Sequence, residues 1–379
     1  MSTKMSTKIC LNMIVKNESK VILDTLENLC KYISFSYWVI CDTGSTDNTR
    51  EIISSFFKNK NISGELYSDD WKNFGHNRSR ALEIAYNKSD YVFIFDADDK
   101  IYGDFKLPIL KYDKYYLTFK ENNSVSYQRI LLVNNRKKWK FRGVLHEYIT
   151  CEDNNKKISS GEIIGNYYID SGRLGNRNLS KNKYKKDAEI LEKAFYDENT
   201  EKDLLSRYSF YLSQSYKDDG NITKAIEWYT KTLELNGWIQ EKYYSCFMLG
   251  SLYYKKNDNQ NALKYWLKTI EYDSERIDGI VNACKLAYNN KNNCLVNVLY
   301  HKFKDYIRDF KYKNKLFLFY KLYNYHLEYY NSICSFYVND KKSGYECCKK
   351  IILNNGYQLK NVLSNFIFYT EYLEKDKLN

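Results

Sequence analysis

Four short strand-like segments, most of them apolar, stand in the first hundred residues: KICLNMIV (8–15), YWVICD (37–42), GELYS (64–68) and YVFIFD (91–96). Between them the pattern changes to helical period. From Glu18 to Ile33 the apolar positions Ile22, Leu23, Leu26, Leu29 and Ile33 recur three or four residues apart. DNTREIISSFF (47–57) opens with acidic residues and predicts a helix capped by Thr46 or Asp47, and HNRSRALEIAY (76–86) predicts a third. Strand and helix in strict alternation leave few folds open. They imply a Rossmann-like, mostly parallel sheet with helices on both faces. Ligands bind beyond the carboxyl ends of the strands in such sheets. The turns after Val15, Asp42 and Phe95 are therefore expected to line one crevice.

From about 114 to 170 the signal becomes one of short strands: KYYLTFK, SVSYQRILLV and KWKFRGV. After about 176 it is helical to the end. Two segments there align with each other at an offset of 37 residues, Leu212, Ser213, Tyr216, Ala225, Tyr229 and Thr232 matching Leu249, Gly250, Tyr253, Ala262, Trp266 and Thr269. This resembles the tetratricopeptide pattern of leucine, small residue and aromatic, then alanine and aromatic. Amphipathic helix pairs without a binding role would leave a similar stripe, but the shared register favours true repeats. The expected organisation is an α/β domain over 1–175 and an all-α, TPR-like domain over 176–379. Its repeats are expected near 206–239 and 243–276, with a degenerate copy over 277–310.

The chain has 379 residues, 44% of them hydrophobic, and a formal net charge of +12. That charge suits an anionic ligand. The basic residues are scattered, however, with only small clusters such as NNRKKWKFR (134–142), and neither a zinc-finger spacing nor an RNA-recognition signature occurs. Nucleic-acid binding is the weaker reading. The ten cysteines form no CxxC pair, and Cys10 and Cys41 fall inside apolar runs, as in a reducing compartment. No apolar run approaches the ~18 residues of a membrane span. MSTKMSTK leads straight into the first strand without a secretory signal. A cytoplasmic protein is expected.

The fourth strand-like segment poses a chemical question. It runs into Asp96, Asp98 and Asp99, three carboxylates within four positions. Like charges repel, and the tip of a core strand solvates them poorly. A turn would accept aspartate; a divalent metal would explain the cluster more fully. Two further polar turns end the earlier strands: MIVKNES (13–19), and CDTGSTDNT (41–49), where Gly44 permits a tight turn.

Taken in order, MIVKNE, CDTGSTDNT, NFGHNRSRAL (73–82) and FIFDADD resemble the nucleotide-sugar-binding half of family 2 glycosyltransferases with the GT-A fold. More narrowly, the chain is similar to members that carry tetratricopeptide repeats after the catalytic domain, known from bacteria and large DNA viruses. The specific motifs cover roughly residues 8–175. The resemblance implies a nucleoside-diphosphate sugar donor, UDP-sugar favoured, and a divalent cation, Mn²⁺ or Mg²⁺. It implies that Asp42 meets the base beside the backbone of Met13 to Val15, that Asp96 faces the ribose or the metal shell, and that Asp98 binds the metal. Arg78 would approach the diphosphate. FRGVLHEYI (141–149) resembles the family's His-Glu motif, which makes Glu147 the base and His146 a metal or diphosphate contact. Many relatives carry a further histidine before a glycine ahead of the helices. This chain reads YYIDSGR (167–173), with Asp170 in that place, so Asp170 rivals Glu147 as base.

The expected activity is therefore metal-dependent, inverting transfer of a sugar to a protein or glycan acceptor. The helical repeats would select that acceptor, bind a protein partner or hold a homodimer together. The alternative is a catalytically degenerate transferase fold serving as a repeat scaffold, for which the altered Asp170 position argues and the intact acidic cluster does not. No nucleic acid and no membrane span enter either reading.

Overall fold

The computed structural model describes residues 7–121, 125–152, 157–172, 182–308 and 315–372. The chain divides into two compact units, Met1–Thr200 and Glu201–Asn379. The boundary expected at 175/176 lies outside the described residues.

In the first unit the strands β1 (Ile9–Val15), β2 (Tyr37–Asp42), β3 (Gly64–Ser68) and β4 (Tyr91–Ile94) all run parallel. The helices α1 (Ile22–Tyr32), α2 (Thr49–Asn59) and α3 (Phe74–Ala85) connect them. The sheet continues through β5 (Lys100–Gly103), β6 (Lys114–Glu121), β7 (Val125–Asn134), β10 (Ser160–Glu162) and β11 (Tyr167–Asp170). Its order is β3-β2-β1-β4-β7-β6-β11-β5, with β10 beside β6. β7 joins β4 antiparallel, so the sheet is mixed beyond its parallel half. A separate antiparallel pair is formed by β8 (Trp139–Arg142) and β9 (Tyr148–Cys151). The helix α4 (Lys183–Tyr196) ends the unit.

The strands near the centre are apolar on both faces because both are covered. Leu11, Met13, Ile40 and Phe93 pack with Ile22, Leu26 and Leu29 of α1 and Ile53 and Phe57 of α2. Cys10, Val39, Val92 and Ile94 pack with Leu82 and Ala85 of α3 and with Trp139. Residues of opposite parity thus face opposite layers, as the pleat dictates. One polar residue interrupts β1. Asn12 is buried, and its amide donates to Ala81 O at 2.9 Å and Val39 O at 3.4 Å, which fastens α3 to the sheet.

All three helix starts differ from the sequence reading, α3 by beginning at Phe74 behind its cap Asn73. The first helix begins at Ile22, after a turn in which Glu18 O accepts from the N–H groups of Val21 and Ile22. The second is preceded by Asn48 in the cap position, without a side-chain cap bond, rather than by Thr46 or Asp47. Asp47 instead accepts from Thr49 N at 3.1 Å and from Ser19 N at 3.1 Å, so its carboxylate ties two turns together.

The second unit is helical. Four antiparallel pairs follow one another: α5 (Leu205–Asp218) with α6 (Ile222–Glu234), α7 (Ile239–Lys255) with α8 (Asn259–Lys268), α9 (Asp278–Asn289) with α10 (Asn293–Phe303), and α11 (His326–Tyr337) with α12 (Lys341–Leu353). The short α13 (Leu359–Asn365) comes last. Every pair turns in the same way. A residue at positive φ, namely Gly220, Asn257, Lys291 or Asn339, precedes a capping Asn221, Asp258, Asn292 or Asp340. Each cap side chain accepts from the backbone N–H three residues on, which satisfies one of the helix's first donors. Small residues allow the close approach within a pair. A Cβ on Gly250 would stand 2.5 Å from the Trp266 ring. The degenerate copy expected over 277–310 corresponds to α9 and α10 as far as Arg308, its last two residues lying outside the described ones. The fourth pair was not read from the sequence as a repeat.

Candidate active site

The turns that end β1 and β2 are laced together by hydrogen bonds. Asn17, in the left-handed region, donates its N–H to Ser45 Oγ at 2.9 Å and accepts from Thr46 N at 2.7 Å. Glu18 N donates to Thr49 Oγ1 at 2.8 Å. Burial would raise the Asp47 pKa, but the bonds from Ser19 and Thr49 outweigh it and hold the group at about 2. Much of the polar sequence in KNES and TGSTDNT therefore builds the turns. Met13 and Val15 point their side chains into the core, so only their backbone is available to a ligand. β4 pairs with β1 only as far as Asn12, and Phe95 N still donates to Asn12 O at 3.1 Å. From Met13 on, the ladder partner of β1 is β2.

Beyond β2 and β3 an open cleft of about 570 Å³ is lined by Asp42, Ser45, Arg50, Ser68 and Asp70, among others. Its volume falls within the roughly 300–1,000 Å³ of small-molecule sites. Asp42 is buried, accepts from Ser45 N at 3.2 Å and pairs with Arg50 Nη1 at 3.1 Å. The same Nη1 donates to Ser68 Oγ at 2.9 Å, which bridges the ends of β2 and β3.

Two consecutive residues of α3 connect this cleft to the acidic turn. Asn77, buried, donates to Asp69 Oδ2 at 3.0 Å and Asp70 O at 2.8 Å on the cleft rim. Arg78 reaches the other way, into a close ion pair with Asp96. Its Nε also stands 2.7 Å from Glu147 Oε1, near enough for an ion pair although the N–H is not aligned as a hydrogen bond. Glu147 is delivered there because the 141–147 segment docks on the first turns of α3. Ser79 Oγ bonds both Phe141 N and O, Phe74 N donates to Val144 O, and Gly75 lies so close to Gly143 O that a Cβ would come within 2.2 Å. Glu147 is thus nearly buried against an arginine. His146 beside it is exposed and takes a left-handed backbone, φ 54°.

Arg129 of β7 is a residue that the sequence reading missed. The β4–β7 register pairs Phe93 with Leu132, and continuing it past the end of β4 sets Arg129 opposite Asp96. Both its Nη atoms address Asp96 Oδ2, at 3.3 and 3.4 Å, and Nη1 lies 4.0 Å from Asp99. Burial alone would raise the Asp96 pKa, but Arg78 and Arg129 outweigh it and keep the carboxylate below its usual range. Asp99 moves the other way, pushed well up by burial first and then by the charge of Asp96. The three acids at the strand tip are therefore not three like charges. One is clamped by two arginines and one is held towards its neutral form.

Asp98 lies against the residues that follow β11. Asp170 ends β11 and pairs with Lys100 of β5, which returns this segment to the acidic turn. Two residues on, Gly172 packs on the Asp98 backbone so tightly that a Cβ would stand 1.8 Å from Asp98 O. The glycine of YYIDSGR is required by this approach. Among the described residues no three His, Cys, Asp or Glu side chains gather as a metal-binding set. Mg²⁺ and Mn²⁺ are commonly held by one or two carboxylates, with phosphate oxygens completing the shell. A single carboxylate such as Asp98 fits that manner of binding where a phosphate supplies the remaining oxygens.

The fold is of the open α/β class that works at its strand ends. Residues 10–159 match the family model described as glycosyl transferase family 2. The match falls on the segment whose motifs carry the resemblance, and pairs of helices follow it. Among solved structures the chain is similar to residues 1–349 of S. aureus TarS in complex with UDP-GlcNAc, at 15% identity over 70% of this chain and 92% of that one, TM-score 0.35. It is similar to the mannosyltransferase PcManGT from Pyrobaculum calidifontis in complex with GDP-Man and Mn²⁺, at 20% identity over 25% of this chain, TM-score 0.23, and spans only 28% of that protein's length. A tetratricopeptide repeat protein from Parabacteroides merdae aligns at 13% identity over 52% of this chain and 70% of its own, TM-score 0.34. No curated protein matches the chain. No helix among the described residues is long and apolar enough to cross a membrane.

Proposed function

We propose that the chain is a metal-dependent, inverting glycosyltransferase that moves a hexose-type sugar from a nucleoside-diphosphate sugar, UDP-sugar favoured, to a protein or glycan acceptor. One observation carries this reading: adjacent residues of α3, Asn77 and Arg78, join the cleft at Asp42 to the acidic turn at Asp96. Base and diphosphate recognition would thus be fixed by one rigid element. Asp42 and the backbone of Met13 to Val15 receive the base, Asp96 faces the ribose or the metal shell, and Arg78 faces the diphosphate. A divalent ion, Mn²⁺ or Mg²⁺, held by Asp98 with His146 as a further contact, would neutralise charge on the departing diphosphate. In the transfer the bond from the sugar's anomeric carbon to the phosphate oxygen breaks, and its electron pair leaves with the diphosphate. The acceptor oxygen forms the new bond, and its proton passes to a carboxylate, Glu147 or Asp170.

The helical repeats would present the acceptor, bind a protein partner or pair two copies. Free cysteines throughout suit a reducing, cytoplasmic setting. Calorimetric titration of UDP, GDP and TDP, with and without Mn²⁺, tests the donor site. Metal-dependent binding of one nucleotide, lost in Asp98→Ala, is expected. Binding of none of the three would sink the enzyme reading in favour of a repeat scaffold on a degenerate transferase fold.

A further inference from the structure

Arg129 is held differently from its neighbour Arg78. Arg78 has a side chain only 9% exposed and grips Asp96 Oδ1 closely. Arg129 is 35% exposed and uses both Nη atoms on the single oxygen Oδ2, at 3.3 and 3.4 Å. Charge-assisted hydrogen bonds are ordinarily about 2.7–2.9 Å long. Its hold on Asp96 is therefore loose, and Asp96 already has a cation in Arg78. Arg129 is nonetheless well oriented, its guanidinium 4.9 Å from the centre of the buried Phe119 ring. An oriented, partly open guanidinium fork at the strand-end side of an α/β sheet suits a phosphate better than the edge of one carboxylate oxygen.

We propose that Arg129 binds the donor's diphosphate and that Asp96 occupies its fork while no donor is present. This rests on the nucleotide-sugar reading above. Arg78 and Arg129 converge on the two oxygens of one carboxylate, so a phosphate group entering there meets two guanidinium groups already spaced for oxygen ligands. Asp96 acts as a resident anion that keeps the two arginines from repelling each other and is displaced from Arg129 on binding.

The test is calorimetry of the full chain with Mn²⁺ at low salt, with the pairs UDP and UMP, and GDP and GMP. For the nucleotide that binds, Arg129→Ala is expected to weaken the diphosphate about 10- to 100-fold while changing the monophosphate less than about threefold. Arg129→Lys should fall between, keeping charge but losing the fork. Asp96→Asn frees both arginines and should raise the ratio of diphosphate to monophosphate affinity. Equal weakening of both nucleotides by Arg129→Ala, or no weakening, overturns the assignment. Should Arg129→Ala melt early, Arg129→Lys decides, since an unchanged affinity ratio there refutes a diphosphate contact. Wild type that binds UDP while Arg129 proves irrelevant removes this inference alone. Wild type that binds no nucleotide removes the donor reading and this inference together.

Discussion

Each unit of the molecule buries arginine against carboxylate, and the two clusters are built to different specifications. In the helical unit, Arg276 and Asp278 are both fully buried, 3.0 Å apart. Arg276 also donates to Gln240 Oε1 and to the carbonyls of Leu316 and Phe317, and lies 3.9 Å from the Tyr243 ring centre. Asp278 accepts from Tyr243, Tyr323 and Phe319 N. Every polar atom is used, and backbone makes up part of the set. In the α/β unit, Arg78, Arg129, Asp96 and Glu147 form a chain whose side chains are 9 to 35% exposed and whose bonds vary from tight to slack. The sealed cluster ties the long connection at 316–323 to the repeats. The open one leaves its cations within reach of a ligand. Burial of charge alone does not distinguish a structural clasp from a binding site; the quality of satisfaction does.

That contrast can be broken experimentally. Arg276→Met should cost about 3–5 kcal/mol, because it strands Asp278 without its cation in a dry interior. Urea denaturation would register the loss, while nucleotide binding by the folded fraction stays unchanged; lost binding at unchanged stability would reverse the assignment. Next in size is the catalytic effect expected at the two candidate bases. Whichever of Glu147→Gln and Asp170→Asn removes the base should lower kcat by about 10²–10⁴-fold with donor affinity retained. Steady-state kinetics on both variants separates them, and full activity in both would exclude these carboxylates. Gly172→Ala should be milder, displacing the Asp98 turn and weakening Mn²⁺-dependent nucleotide binding roughly tenfold; unaltered binding would show that the turn yields freely.

The smallest effect concerns Asp47. Its pKa is depressed in the folded state, so its stabilisation is present above the ordinary carboxylate value near 3.8 and disappears as pH falls towards 2. Asp47→Ala should lower the melting temperature by roughly 2–4 °C at pH 7 and leave it unaltered near pH 2. A pH-independent difference would mean that its charge contributes nothing.

The sequence exposed the parts that follow local rules. Strand and helix alternation, Asp42, and the Asp96–Asp99 turn were readable because apolar period and strand-end polarity are written in neighbouring residues. The cap of the second helix was misassigned because Asp47 has a better offer from Ser19, across a turn that only the fold brings close. Arg50 and Arg129 were missed for the same reason. Their partners are 8 and 33 residues away, and only the β4–β7 register sets Arg129 opposite Asp96. Asn77 lay inside a quoted motif, but its bonds to Asp69 and Asp70 depend on how α3 meets the third strand. The fourth helix pair was hidden by spacing. Caps Asn221 and Asp258 lie 37 residues apart and Asp258 and Asn292 34, but Asp340 follows only after 48, beyond a connection that breaks the period.

That shared turn has a consequence for how such a chain can change length. Each helix pair carries its own stop, a residue that tolerates positive φ, and its own start, an Asn or Asp that caps the next helix. The signals are made within their own pair, although the Asp340 carboxylate is also bonded by Asn297 and His301 of the pair before it. A duplication or deletion of one whole period would leave every remaining pair punctuated as before, so this region can grow or shrink in steps while the α/β domain keeps its sequence. Such a chain can revise the number of its helix pairs without altering the domain that precedes them.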